Sequence, residues 1–385
     1  MVVMMGTDVP LHMIAQATRG ALGVELTEAG LHIRRLPAWT VAQYADDRFL
    51  DVVTQNGSGV RLDFETTSSW IELGCRWDVL RSESVTLPLA SLVVEINGTG
   101  TQAYPLEAGY GIDLVDSTGR ITQFPGRETR MRLELPGAPT CRAVTVWLPQ
   151  SARVTITGAR SDAALAVRAT AQPRWLHYGS SISQCNEAPD PLGAWPVLVA
   201  RRLGLDLTNL GLAGQAHLDQ FVARTIRDAE PDLITLKVGI NMVAAGTMKA
   251  RTLRSALHGF LDTIRESLPT TPITVISPIF SPDFETTPGP SHVADLERLE
   301  SGTVTGDDRL TLRATRQILR DVATQRMAND QHLGYLDGTA LLDSADIDLL
   351  PDRVHPNPTG YRAMAERFVG TSTSLPGFAG LTRHE

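Results

Sequence analysis

From about Val60 to Ile156, apolar and polar positions alternate. Val60, Leu62 and Phe64 interleave with Arg61 and Asp63. The same rhythm runs through Ile71, Leu73 and Cys75, then Leu92, Val94 and Ile96. It returns at Met131, Leu133 and Leu135, at Val144, Val146 and Leu148, and at Val154 and Ile156. A period of two sets one row of side chains on one face of a strand. Asn97-Gly98 directly after Ile96 is a hairpin signal, because both residues accept a positive φ. Glycine and proline punctuate the runs. Short alternating strands at this spacing predict an antiparallel β-sandwich, jelly-roll-like in arrangement.

After about Gln172 the rhythm changes. Trp175–Tyr178, Leu233–Val238 and Ile273–Ile276 are compact apolar runs, as expected of strands buried on both faces. Between them, apolar positions follow helical spacing: Ala194–Leu203, Leu218–Ile226, Leu253–Ile264 and Leu312–Val322. Strands alternating with helices predict a parallel sheet with helices on both faces, a three-layer α/β/α domain. The expected fold class is therefore α/β: a sandwich domain over 1–165 and a catalytic domain over 166–385, with alternation fading near 158–172.

Composition narrows the class. The chain has 385 residues, of which 42% are hydrophobic, enough for sizeable cores. No run approaches the roughly 18 apolar residues of a membrane helix, and Met1–Leu11 lacks the pattern of a signal peptide. The formal charge of −8 argues against a nucleic-acid surface, which needs clustered cations. Lysine occurs only at 237 and 249, and the arginines form no block. Cys75, Cys141 and Cys185 lie far apart, with neither a zinc spacing nor an even count for a disulfide framework. A reduced, cytoplasmic protein is expected, with no nucleic-acid or membrane partner. The oligomeric state is not readable.

In an open parallel sheet the functional crevice lies at the carboxyl ends of the strands. The first predicted strand ends in Gly179-Ser180-Ser181-Ile182-Ser183. Another turn carries Asn209-Leu210-Gly211-Leu212-Ala213-Gly214, and a third Gly239-Ile240-Asn241. Near the C-terminus stands Asp352-Arg353-Val354-His355. These groups suit acyl transfer. A serine hydroxyl becomes a good nucleophile when a base takes its proton, and histidine is the side chain tuned nearest neutral pH. Asp352 can fold back on His355 to fix its tautomer. The oxyanion that forms needs preorganised N–H donors, which glycine-rich backbone and an Asn amide supply.

On these four blocks the sequence resembles the GDSL, or SGNH, family of serine esterases and acyltransferases. The resemblance makes Ser181 the nucleophile, His355 the base and Asp352 its partner. It makes the backbone N–H of Ser181, the N–H of Gly214 and the amide of Asn241 the oxyanion hole. Ser180 departs from the family pattern, which has an acidic residue there, so the hydrogen bonding of that loop must differ. The layout is similar to a subgroup with an N-terminal sandwich, and within it to salicylyl acyltransferases of tetracycline-type polyketide pathways. This implies a salicylyl-CoA thioester as donor, a polyketide hydroxyl as acceptor, acyl-CoA as co-substrate, and no cofactor or metal. The alternatives are an esterase acting on carbohydrate or small esters, and an inactive sugar-binding relative.

Plainer readings stand beside each residue. Ser181 could be a helix cap, as Ser180 and Ser183 are read. Gly211 and Gly214 could be turn glycines. His177, His217, His258 and His292 read as structural or surface residues, and His217-x-Asp219 is too sparse for a metal site. Cys185 reads as core on the helix that follows Ser181, and Trp195, Phe221 and Phe260 as core. Asn357-Pro358 predicts the cap and first residue of a last helix behind His355. The Pro- and Gly-rich stretch from Ser277 to Thr305 fits either a surface insertion or a lid.

Overall fold

The structure is a computed structural model. It describes residues 6–381 except 84–85, 107–108, 117–119, 139 and 291–308. The chain divides into two compact units. The first comprises 1–172 with 185–197 and 206–210, and the second 173–184, 198–205 and 211–385.

The first unit is a sandwich of an eight-stranded and a six-stranded sheet. Its core lies between inward rows of both sheets, including Leu31 and Ile33, Leu62 and Phe64, Leu73 and Cys75, and Val144 and Val146. The alternating runs became strands Arg61–Thr66, Trp70–Ser82, Ser91–Ile96, Thr129–Glu134, Arg142–Trp147 and Ala152–Ser161. Asn97 (φ 52°) and Gly98 (φ 77°) turn the hairpin that pairs Ile96 with Gly100, as their tolerance of positive φ demands.

Two features differ from the pattern. The sheets are not wholly antiparallel: Trp70–Ser82 pairs in parallel with Gly111–Val115. The chain leaves the larger sheet after Ser82, builds the hairpin Ser91–Pro105 in the other sheet, and returns in the same direction. Second, two of the three positions in the polar row of Arg61–Thr66 are not solvated, while Glu65 is exposed. Arg61 and Asp63 are buried and paired with each other at 3.4 Å, and Asp63 also accepts from the Thr145 hydroxyl. Elements before Val60, such as helix Arg48–Gln55, and the short strand Leu165–Val167 carry no alternation long enough to read.

The second unit holds four strands of a parallel sheet, in the order Arg174–Gly179, Leu233–Lys237, Ile273–Ile276 and Leu333–Leu336, each paired in parallel with the next. Residues three apart on a strand face opposite sides, and Trp175 and Tyr178 show both layers. Trp175 stacks on Phe368 of helix Pro358–Thr371 at 6.0 Å, and Tyr178 on Phe260 of helix Ala250–Arg265 at 5.5 Å. Strand Leu233–Lys237 is buried at every position, Thr235 and Lys237 included, as expected of a strand covered on both faces. Strand Leu333–Leu336 escaped notice because Gly334 and Tyr335 interrupt its four residues. Among the described residues no helix is long and apolar enough to cross a membrane.

Candidate active site

Strand Arg174–Gly179 runs into helix Ser181–Gln184, whose four residues begin with Ser181. Ser180 closes the turn. Its carbonyl accepts from the N–H groups of Ser183 (2.9 Å) and Gln184 (3.0 Å), and its hydroxyl accepts from Ile182 N–H at 3.3 Å. A neutral, buried serine thus caps the helix where the family pattern has an acid. The turn leaves Ser181 partly exposed while Ser180, Ile182 and Ser183 are buried.

His355 lies just before helix Pro358–Thr371, whose start is capped by Asn357 accepting from Gly360 N–H at 2.9 Å. Its Nε2 is 2.8 Å from Ser181 Oγ, and its Nδ1 is 2.6 Å from Asp352 Oδ2. The other carboxylate oxygen, Oδ1, accepts from the N–H groups of Val354 (3.0 Å) and His355 (2.6 Å). Burial would raise the Asp352 pKa, but the hydrogen bond and charge of His355, with these two N–H groups, hold it at about 2. An ionised carboxylate only accepts, so Nδ1 carries the proton and Nε2 is left to accept from Ser181 Oγ–H. The chain of groups is open to solvent at one end: the side chains of His355 and Asp352 are 23% and 34% exposed.

The loop after strand Asp206–Gly211 is pinned at successive residues. Leu212 N–H donates to Gly179 O at 2.7 Å, Ala213 N–H to Gln184 Oε1 at 3.0 Å, and Gln215 N–H to Leu212 O at 3.0 Å. The last bond closes a tight turn with Gly214 (φ 70°) at its third position, where glycine fits without strain. Gly211 is needed for a different reason. A Cβ there would lie 2.4 Å from the backbone of Ser183 and Gln184, so it lets the strand end approach the helix that begins at Ser181. Asn241, in helix Ile240–Ala244, accepts from Ala216 N–H through Oδ1 at 3.0 Å, which leaves its NH₂ group as the free end. Among the described residues, the N–H groups of Ser181 and Gly214 and the Asn241 NH₂ donate to no protein acceptor. The structure therefore links Ser181, His355 and Asp352 in one hydrogen-bonded chain. It also joins the Gly214 loop to both Gln184 and Asn241.

Residues 177–363 match the sequence profile of the GDSL-like lipase/acylhydrolase family. Solved structures extend the likeness over nearly the whole length of the chain. The salicylyl-acyltransferase SsfX3 from a tetracycline biosynthetic pathway is 26% identical, with a TM-score of 0.80, covering 96% of this chain and 97% of that one. A GDSL-like lipase of Bacteroides ovatus is 20% identical, with a TM-score of 0.68, over 99% and 100% of the two chains. An acetyl xylan esterase of the rumen bacterium Butyrivibrio proteoclasticus is 13% identical, with a TM-score of 0.56, over 97% and 99%. At their identities the last two share the fold. No curated protein matches the chain in sequence. The family match and the likeness to SsfX3 support acyl transfer or hydrolysis as the chemistry of residues 177–363.

Three parts of this region were not legible as site components. Gln184 ties the Ser181 helix to the Gly214 loop, yet a lone Gln gives no sequence signal. His217 bonds Gly214 O at 3.1 Å and Thr247 Oγ1 at 3.0 Å, a clamp on the same loop. His177 is buried beneath the helix, between Thr235 Oγ1 and Ser183 Oγ, each at 2.7 Å. Cys185 is buried but is not on the helix; it takes φ 61° immediately after Gln184 and ends it. Cys75 and Cys185 are buried and Cys141 is exposed, and none of the three is in a disulfide. Trp195, Phe221 and Phe260 are buried, as read from the sequence. His258 meets Arg326 at 3.2 Å, and His292 lies outside the described residues. Of the stretch 277–305, residues 277–290 pack as described below and the rest lies outside the described residues.

Proposed function

We propose that the protein is a serine acyltransferase that moves a salicylyl or related aryl acyl group from a CoA thioester to a hydroxyl of a tetracycline-type polyketide. The observation that carries the reading is the Ser181–His355–Asp352 chain beside unpartnered N–H donors. The likeness to SsfX3 supports the substrate class. Ser181 Oγ attacks the thioester carbonyl while its proton passes to His355 Nε2. The oxyanion is held by the N–H groups of Ser181 and Gly214 and by the Asn241 amide. The C–S bond breaks, the thiolate takes the proton from Nε2, and an acyl-serine ester remains. The acceptor hydroxyl then gives its proton to Nε2 and attacks the ester. Collapse returns that proton to Ser181 Oγ and releases the acylated product. Acyl-CoA is a co-substrate, and the scheme needs no metal or other cofactor.

The exposure of His355 and Asp352 favours a second reading, hydrolysis, because water reaches the same base. Mass spectrometry separates the two. The protein mixed with salicylyl-CoA should gain the acyl mass on the peptide containing Ser181, discharged faster by a polyketide alcohol than by water. Discharge that ignores the alcohol would identify an esterase. An adduct absent from that peptide, with turnover intact, would overturn both readings.

A further inference from the structure

Arg353 stands between the two residues that must face each other, Asp352 and His355, and it has the left-handed backbone conformation (φ 66°). A side chain with a Cβ resists this region, because the Cβ crowds its own carbonyl. A free loop would relax to negative φ. That rotation would swing the following peptide and pull the N–H groups of Val354 and His355 off Asp352 Oδ1. Something outside the loop must hold residue 353.

The segment after strand Ile273–Ile276 does so at two points. The Ser281 hydroxyl donates to Arg353 O at 2.8 Å, and Arg353 Nε donates to Asp283 Oδ1 at 2.5 Å. Ser281 is 1% exposed, so its hydroxyl has little access to water as an alternative partner. The segment is itself anchored elsewhere. Phe280 N–H donates to Leu342 O at 3.1 Å, Leu312 N–H to Phe284 O at 2.9 Å, and Glu285 pairs with Arg316 of helix Leu312–Met327. It can therefore act as a fixed support for the loop. We propose that Ser281 and Asp283 are positioning residues: by holding Arg353 in the left-handed region they keep Asp352 and His355 aligned for proton transfer with Ser181. This inference rests on the acyl-serine reading above.

The test is a cycle of Ser281→Ala and Arg353→Gly. Glycine adopts the required conformation unaided, so Ser281 should matter far less beside it. Ser281→Ala alone should lower kcat about tenfold or more with KM within about twofold, the size expected of a misaligned base. In the Arg353→Gly background the same change should cost less than about threefold, a non-additivity that a merely structural serine would not give. Asp283→Asn, which leaves the buried hydroxyl alone, should give a smaller loss of the same kind and serves if Ser281→Ala fails to fold. A second readout does not depend on turnover. The proton shared by His355 Nδ1 and Asp352 should give a low-field proton NMR signal, assigned by its loss in His355→Gln. It should fade in Ser281→Ala and persist in the double variant. Equal losses in both backgrounds, or an unchanged signal and kcat in Ser281→Ala, would overturn the brace. A signal that behaves as described while turnover survives Ser181→Ala would leave the brace standing and remove the acyl-serine reading.

Discussion

Two imidazoles each hold a serine of the same four-residue helix. His355 Nε2 meets Ser181 Oγ at 2.8 Å, and His177 Nε2 meets Ser183 Oγ at 2.7 Å. By distance alone they are equivalent. Their surroundings separate them. Behind His355 is a carboxylate held ionised at about pKa 2, and the ring is partly exposed. Behind His177 is the hydroxyl of Thr235, which also accepts from Trp175 Nε1–H at 2.9 Å, and the ring is 0% exposed. Burial first, and then the charge of Lys237, push the His177 pKa down to about 3. His177 is thus neutral at ordinary pH and cannot take a proton from Ser183. A serine–histidine contact becomes a proton-transfer device only with an anion to stabilise the imidazolium and access for a substrate.

The sharpest way to break this contrast is at the two serines. Ser181→Ala should reduce turnover of an aryl thioester by a factor on the order of 10⁴ or more, the residue being what binding and oxyanion donors alone supply. Ser183→Ala should leave the chemical step near wild type. It should instead lower stability by about 1–3 kcal/mol, because the buried His177 nitrogen loses its partner. Comparable rate losses in the two variants would erase the distinction.

The groups behind the rings come next. Asp352→Asn should cost roughly 10²–10⁴ in kcat by removing the anion and unsettling the tautomer. Thr235→Val should cost less than about tenfold and act mainly on denaturant midpoint, as the loss of buried hydrogen bonds would. Steady-state kinetics and urea unfolding on both variants would show whether the order is reversed.

The remaining test is in the pH dependence of stability. Unfolded, His177 takes up a proton near its ordinary value of 6.5; folded, it does so only near 3. Its contribution is complete above pH 6.5 and declines as pH falls toward 3, by up to about 1.4 kcal/mol per pH unit. Asp352 acts in the same sense further down: its stabilising contribution is present above its ordinary 3.8 and is lost as pH falls through about 2. Urea unfolding of His177→Asn between pH 6.5 and 4 should therefore show a slope shallower by up to one proton than wild type. Identical slopes would mean that the ring is not held neutral by burial.

Much of this contrast could not be read along the chain. Asp352 and His355, three residues apart and ahead of Asn357-Pro358, announce a compact loop before a helix, and the structure has one. Ser181 after a buried strand, and Gly239-Ile240-Asn241 after another, are equally visible. His177 shows nothing of the kind. Its role depends on Thr235, Ser183 and Trp175, brought together by the parallel pairing of Arg174–Gly179 with Leu233–Lys237. Gly211 and Gly214 look alike in sequence, yet one is required by a close backbone approach and the other by a positive φ. Ser281 and Asp283 lie about 70 residues from Arg353 along the chain and share no motif with it.

The amino-acid sequence determined which chemistry is available. Period-two alternation and buried apolar runs select a sandwich and a parallel sheet, because each periodicity can bury its apolar face in only one way. Short blocks at strand ends offer serine, histidine, aspartate and asparagine as a candidate reactive set. The tertiary structure decided which of two serine–histidine contacts is poised to move a proton, which donors are left without protein partners, and what holds the base's loop in a conformation its own residues resist. The reason is physical: solvation, charge and backbone strain depend on neighbours in space, and those neighbours come from segments far apart in the chain.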